Sequence, residues 1–238
     1  MRIAYTLRWV ILSFLLMILC VYVGFILGRP ELNHMNIFLK TGLSAVAFII
    51  FLWTLKIFYP AWEKGALGEH WVYQELQKLP KEYLHVNDFH NGKRGNVDFV
   101  VVGPTGIFAI EVKNTKNGLL TMDHEKLCIN GSLFVGKDPL AQAYAESMAI
   151  QTYLRETENL FLPVTPILVF ANEKVKMTFG KHKQRGAYVI GINWLTDIIR
   201  GSPVDSRLTS DLCIKVQQSL KNTLVILCDR CASGDLFN

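Results

Sequence analysis

The sequence has few cysteines, too few to form the several disulfide bonds of a disulfide scaffold. Its five cysteines are odd in number and scattered along 238 residues. A fold stabilised mainly by disulfides is therefore excluded, and a reducing compartment is favoured. Cys228 and Cys231 form a C-x-x-C pair, but no second Cys or His pair lies near them to complete a four-ligand zinc site.

Charged residues are also scarce, and most of the chain has no excess of one sign. They make up 19% of the residues, against 50% hydrophobic residues. Residues 1–60 hold five Lys or Arg and one acid, whereas residues 61–238 hold 20 basic and 19 acidic side chains. The overall charge therefore gives no sign of a polyanionic partner, and only a local basic cluster could. The chain also lacks repeats and a G-x-x-x-x-G-K-[ST] motif, which excludes a P-loop motor.

Two long apolar runs near the N-terminus predict a membrane anchor. Residues 9–28 carry no charge, and at about 1.5 Å per residue they would span a hydrocarbon core of roughly 30 Å. Residues 37–59 form a second run, interrupted only by Lys40 and Lys56 near its ends. We therefore predict that residues 1–62 form an anchor of two transmembrane helices in a lipid bilayer. A cleaved signal peptide is disfavoured because no small-x-small pattern follows the first run.

The short linker between the two runs predicts a hairpin with both ends on one side of the membrane. Lys and Arg are slightly more frequent beside those ends than in the linker. This bias favours cytoplasmic ends. The sequence thus predicts residues 63–238 in the cytoplasm, at the bacterial inner membrane; it says nothing about oligomeric state.

Residues 63–238 predict one α/β domain with a central mixed β-sheet flanked by helices. Apolar residues recur with helical spacing in some segments and with strand spacing in others. An Asn130-Gly131 turn and an Asp138-Pro139 helix start support two of the boundaries. The predicted helices cover 63–79, 139–154, 194–200 and 206–220, and the predicted strands cover 96–102, 107–113, 164–171 and 187–190, with a hairpin at 119–135.

The first two predicted strands bring two acids face to face. The turn between them, Gly103-Pro104-Thr105-Gly106, predicts antiparallel pairing centred on the turn, which places Asp98 opposite Glu111 and Asn96 opposite Lys113. Opposed carboxylates repel each other and need a cation between or beside them. Lys113 could supply that charge in a structural salt bridge, or a divalent metal could bind both acids, Mg²⁺ or Mn²⁺ being suited to oxygen ligands.

Glu111 and Lys113 lie on the same strand face, about 6.5 Å apart. An acid that binds a metal, with an ammonium beside it, suits phosphodiester hydrolysis, because both stabilise charge that develops on the phosphate. A second acid, Glu69, falls on the inward stripe of the first helix with Val72 and Leu76. That position is compatible either with a site role or with a first-turn Glu stabilised by the helix dipole.

Four sequence motifs resemble the nuclease-related domain, NERD, of the PD-(D/E)xK nuclease superfamily. They occur in order on predicted elements: Gly65-x-x-Gly68-Glu69, Asn96-Val97-Asp98, Gly106-Ile107-Phe108-x-Ile110-Glu111-Val112-Lys113-Asn114 and Asp138-Pro139-x-x-Gln142. The resemblance covers about residues 65–154 and, more weakly, continues to 171. It departs from the usual pattern at Asn96, Phe99 and Asp138, where the family often has Gln or Glu, His and Asn.

The resemblance implies a restriction-endonuclease-like fold and a metal-dependent nuclease site. On this interpretation Asp98 and Glu111 bind Mg²⁺ or Mn²⁺, Lys113 supports catalysis, and Glu69 and Gln142 are auxiliary catalytic-site residues. The sequence thus predicts a membrane-anchored, Mg²⁺-dependent nuclease that hydrolyses phosphodiester bonds of nucleic acid, with DNA favoured. The alternative is a non-catalytic module that tethers nucleic acid or a protein to the membrane.

One local basic cluster follows a predicted core strand. It consists of Lys174, Lys176, Lys181, Lys183 and Arg185. Five cations within 12 residues could bind the phosphates of a nucleic acid. A solvated loop, or one that meets anionic lipid, fits the same pattern.

Overall fold

The fold was obtained as a computed structural model, which describes Tyr22 and residues 37–90, 96–134, 136 and 138–233. The chain divides into two compact units, Met1–Lys64 and Gly65–Asn238. The first predicted membrane span, 9–28, lies outside the described residues except for Tyr22.

The prediction of two transmembrane helices is wrong. Within the described part of the chain, no helix combines the length and the apolar character needed to cross a bilayer. The second predicted span is not a separate helix that ends near Tyr59. It belongs to α1, Ile37–Leu76, in which only 15 uncharged residues separate Lys40 from Lys56, whereas a span needs about 20 consecutive apolar residues. The predicted location at the bacterial inner membrane, with a cytoplasmic domain, fails with the anchor on which it rested.

The predicted mixed α/β domain fits the structure of Gly65–Asn238. The three further described helices are α2 (Pro139–Glu158), α3 (Leu195–Gly201) and α4 (Ser210–Ser233). The described strands are β1 (Leu84–Phe89), β2 (Val97–Gly103), β3 (Gly106–Lys113), β4 (Gly118–Asp123), β5 (Lys126–Ile129), β6 (Ser132–Leu133), β7 (Val164–Phe170), β8 (Val175–Met177), β9 (Lys183–Gln184) and β10 (Ala187–Gly191).

The central sheet contains six strands in the order β1-β2-β3-β7-β10-β9. Strands β1, β2 and β3 are antiparallel neighbours, whereas β7 runs parallel to both β3 and β10. Phe99 pairs with Ile110 and Val102 with Ile107, which confirms the register predicted from the β2–β3 turn. Strand β3 therefore lies inside the sheet, with a hydrogen-bonded neighbour on each side.

Both faces of the central sheet are covered, as the apolar strands predict. On one face, Val100 and Ala109 pack with Ile150 of α2 and Val216 of α4. On the other face, Val101, Phe108 and Ile110 pack with residues from the end of α1 and from α3. Because side chains alternate along a strand, Glu111 belongs to the face that α2 covers.

A smaller sheet has the order β6-β5-β4-β8. Asn130 and Gly131 both have positive φ angles, 52° and 75°, and connect β5 to β6 in the predicted hairpin. Residues Leu120 and Leu127 of this sheet pack against Leu168 and Phe170 of the central sheet. The smaller sheet therefore shares a hydrophobic cluster with β7 of the central sheet.

Candidate active site

Asp98 lies next to the point where β2 stops pairing with β3. The regular ladder ends at Phe99 and Ile110, one position before Asp98 and Glu111 would face each other. The side-chain oxygen Oδ2 of Asp98 accepts a hydrogen bond from the backbone N–H of Val112, at 2.9 Å. The carboxylate thus replaces a backbone acceptor at this point and is held against β3.

Glu111 is a buried acid in a fully paired strand. Its residue surface is 1% exposed, and its backbone pairs with Leu168 of β7. The Nζ atom of Lys113 lies 2.5 Å from Oε1 of Glu111, while 27% of the lysine side chain is exposed. The lysine that the sequence places two residues after the acid therefore reaches it from the solvent side.

Gln142 joins these two groups from α2. Its Oε1 atom accepts a hydrogen bond from Lys113 Nζ at 3.1 Å, and its Nε2 atom donates to Oε1 of Glu111 at 2.9 Å. The start of α2 is fixed by Asp138, whose Oδ1 accepts the N–H of Leu140, with Pro139 as the first helical residue. The predicted cap thus places Gln142 one turn into the helix, above the end of β3.

Glu146 is a site residue that the sequence reasoning missed. It is 7% exposed, and its Oε1 accepts the second Nε2 hydrogen bond of Gln142, at 2.8 Å. Burial raises the pKa of Glu146 to about 9; the negative charges of Glu111 and Asp98 contribute to the rise, and the Gln142 hydrogen bond opposes it. Glu146 shares its helix stripe with Ile150 and Leu154. An acid on an inward stripe was the signal used for Glu69, and it would have found Glu146.

Glu69 is positioned by a close contact between two of the motifs. A Cβ atom added to Gly68 would lie 2.7 Å from Cβ of Asn114, the residue that follows Lys113. The helix can therefore approach the end of β3 this closely because residue 68 is glycine. Glu69 is consequently held at the strand end that carries Lys113, and one of its carboxylate oxygens is buried. Its predicted auxiliary role stays a prediction.

Replacing Gly68 with alanine should destabilise the domain because the new methyl group would overlap the Asn114 side chain near its backbone. We expect a loss of roughly 1–3 kcal/mol in the free energy of unfolding, the usual cost of overpacking. Urea unfolding of the full-length variant measures it. Gly201→Ala is the control, since a Cβ there meets nothing within 4 Å. Equal stability of both variants would show that the Gly68–Asn114 contact is not tight in solution.

The oxygen-rich donor set fits a divalent cation in part. Asp98 and Glu111 are neighbouring carboxylates, and Glu146 adds a third acid, with Lys113 as the nearby cation. Among the described residues, however, no three acidic, His or Cys side chains converge closely enough to hold an ion. Mg²⁺ is commonly bound through one or two carboxylates, with water and substrate phosphate as its other ligands. The carboxylates of Asp98 and Glu111 match that number and type of protein ligand.

The predicted basic residues lie in and around two short strands rather than in one loop. Lys174 precedes β8 of the smaller sheet, and Lys176 lies in that strand. Lys183 lies in β9, at the edge of the central sheet, and Arg185 follows that strand. All five are exposed. Lys181 lies 5.0 Å from the ring centre of Trp194, and Lys183 lies 4.9 Å from that of Tyr188. We call residues 174–185 the basic segment.

Arg185 connects the basic segment to the start of α2. Its Nη1 atom donates to Oδ2 of Asp138, the cap of α2, at 3.1 Å. It also donates to the carbonyl oxygen of Glu125 at 3.2 Å. The basic segment therefore ends at the turn of α2 that carries Gln142.

The mixed sheet, with acids at the ends of β2 and β3 and a lysine two residues after the second acid, is consistent with the PD-(D/E)xK nuclease superfamily. Residues 64–171 match the family model of the nuclease-related domain, NERD. The match indicates a nuclease-related function and an interaction with nucleic acid. No curated protein matches the chain significantly.

Proposed function

We propose that this protein is a metal-dependent nuclease that hydrolyses phosphodiester bonds of nucleic acid, with DNA as the expected substrate. The observation that carries the proposal is the convergence of Asp98, Glu111 and Lys113, from two strands, with Gln142 of α2. Glu111 is 1% exposed. A buried acid surrounded by further acids costs folding free energy, so a purely structural role gives no reason to retain it.

Asp98 and Glu111 are the residues proposed to hold the metal, Mg²⁺ or Mn²⁺. When bound, such a cation polarises a phosphoryl oxygen and lowers the pKa of a bound water. The net reaction adds a water oxygen to phosphorus and breaks one P–O ester bond, and the water supplies the protons for the products. The chain's own residues position the groups that take part.

Lys113 is proposed to orient the attacking water and to stabilise the negative charge that develops on the phosphate. Its side chain is 27% exposed, so its ammonium can reach a substrate while it remains beside Glu111. Gln142 contributes by holding that ammonium and Glu111 together. Both contacts are preorganised before the substrate binds, which is the arrangement that makes electrostatic stabilisation effective.

A cleavage assay on the full-length protein tests this proposal. Single- and double-stranded DNA and RNA would each be incubated with Mg²⁺, Mn²⁺ or EDTA. We expect cleavage of DNA with metal and none with EDTA; the Glu111→Gln variant, prepared in the same way, excludes a contaminating nuclease. Binding without cleavage under every condition would favour the alternative of a non-catalytic nucleic-acid-binding module.

The basic segment is proposed to contact the phosphate backbone of the substrate. We expect a triple variant with Lys174, Lys176 and Lys183 changed to Gln to bind all sequences more weakly. The slope of log affinity against log salt concentration should flatten by about 0.7–0.9 for each phosphate that is no longer neutralised. Fluorescence anisotropy at several salt concentrations measures both effects.

A matched triple variant supplies the control for the basic segment. Lys81, Arg155 and Lys221 are exposed cations outside the segment, and changing them to Gln removes the same charge. If the two triple variants change the salt slope equally, the basic segment makes no specific contact with nucleic acid.

A further inference from the structure

The buried contacts of Glu146 point to a role for a residue that lies outside the four sequence motifs. One of its oxygens, Oε1, accepts a hydrogen bond from Gln142 Nε2. The other, Oε2, is buried, and Glu146 lies close to the acid Glu111. Burying one acid beside another costs folding free energy, so the position of Glu146 requires an explanation other than stability.

Gln142 shows what Glu146 contributes. The amide nitrogen of Gln142 has two hydrogens, and it donates to Glu111 at 2.9 Å and to Glu146 at 2.8 Å. The amide oxygen accepts from the ammonium of Lys113 at 3.1 Å. Glu146 is thus the partner that fixes the Gln142 amide from the helix side, while the other two partners are the groups assigned to the reaction.

We propose that Glu146 is a positioning residue: it holds the Gln142 amide in the one orientation that bridges Glu111 and Lys113. This inference rests on the proposed function, since Glu111 and Lys113 are the groups that it serves. The spacing supports it, because residues four apart on a helix lie on the same side, and Gln142 and Glu146 both face the end of β3. Without Glu146 the amide keeps its partners on the strand but loses its anchor on α2.

A role as a third metal ligand is the competing explanation for a buried acid at this place. Its Oε1 atom is already used by Gln142, and three ligating side chains do not converge among the residues that the structure describes. A positioning role requires a hydrogen-bond acceptor, whereas a ligand role requires a negative charge. Substitution by glutamine separates the two, because glutamine keeps an acceptor oxygen and loses the charge.

The test compares Glu146→Ala, Glu146→Gln and Glu158→Ala in the full-length protein. Glu158 lies at the other end of α2, where it accepts a hydrogen bond from Ser219, and it serves as the control for loss of a glutamate from this helix. We expect Glu146→Ala to lower kcat roughly 10–100-fold, the usual effect of losing an outer partner of a metal site, with KM for nucleic acid unchanged. Glu146→Gln should restore most of kcat, and Glu158→Ala should leave it unchanged.

The side-chain amide signals of Gln142 in an NMR spectrum give a readout that does not depend on cleavage. In the metal-free wild type, both Nε2 hydrogens should exchange slowly with solvent because each donates to a side-chain oxygen, one of Glu111 and one of Glu146. Glu146→Ala should speed the exchange, and Glu146→Gln should preserve the slow rate. Unchanged exchange in Glu146→Ala, or a Glu146→Gln variant as slow in catalysis as Glu146→Ala, would overturn the inference. If the wild type cleaves nothing, the proposed function fails and the NMR result alone decides whether Glu146 positions Gln142.

Discussion

Replacing Glu111 with glutamine should abolish metal-dependent cleavage without unfolding the protein. Glutamine keeps the size of the side chain and an oxygen that can accept from Lys113 and Gln142, but it removes the negative charge proposed to hold the metal. We expect kcat to fall by roughly 10²–10³-fold or more, comparable with the loss of one preorganised electrostatic contact in other enzymes. Single-turnover cleavage of DNA at saturating Mg²⁺ measures the loss.

The stability of the Glu111→Gln variant should be equal to or higher than that of the wild type in EDTA. Glu111 is buried next to Asp98, so removing its charge removes the repulsion between these two carboxylates. Lys113 loses an ionic partner but is 27% exposed and can be hydrated. A large loss of stability together with unchanged cleavage would show that Glu111 and Lys113 form a structural salt bridge and nothing more.

Replacing Lys113 with methionine should have the opposite effect on stability and the same effect on activity. It leaves the buried Glu111 without its ammonium, and breaking a buried ion pair from one side typically costs about 3–5 kcal/mol. Chemical unfolding in EDTA at neutral pH measures the difference from the wild type. Cleavage should also be lost, because no ammonium then faces the substrate.

The double variant Glu111→Gln/Lys113→Met provides the control for this interpretation. It removes the uncompensated acid along with the lysine, so most of the lost stability should return while cleavage stays absent. If the double variant is as unstable as Lys113→Met alone, the lysine contributes through packing of its methylene chain rather than through its charge.

The sequence predicted the β2–β3 hairpin and the start of α2 well because both depend on local rules. The turn Gly103-Pro104-Thr105-Gly106 determines the register, and Asp138 with Pro139 determines where α2 begins. These two elements carry Asp98, Glu111, Lys113 and Gln142. The residues of the candidate site could therefore be predicted from local sequence rules together with the resemblance to the NERD family.

Other parts of the structure could not be obtained in this way. Strand β1 contains His85, Asn87 and Asp88 between apolar residues, so its strand pattern is weak, and pairing with β2 decides its conformation. The hydropathy of the N-terminal runs predicted two separate spans, whereas the described helix α1 is continuous as far as Leu76. Glu146 lies outside the four motifs, and its burial depends on the packing of α2 against the sheet.

The contact between Gly68 and Asn114 links two motifs that are 46 positions apart in the chain. A Cβ at position 68 would overlap the Cβ of Asn114, so position 68 cannot accept a side chain while residue 114 keeps its own. The two positions should therefore change together in an evolving lineage: a residue bearing a Cβ at 68 requires glycine, or a displaced backbone, at 114. A Gly68→Ala protein should accordingly regain stability when Asn114→Gly is added, as expected for a coevolving contact between α1 and the end of β3.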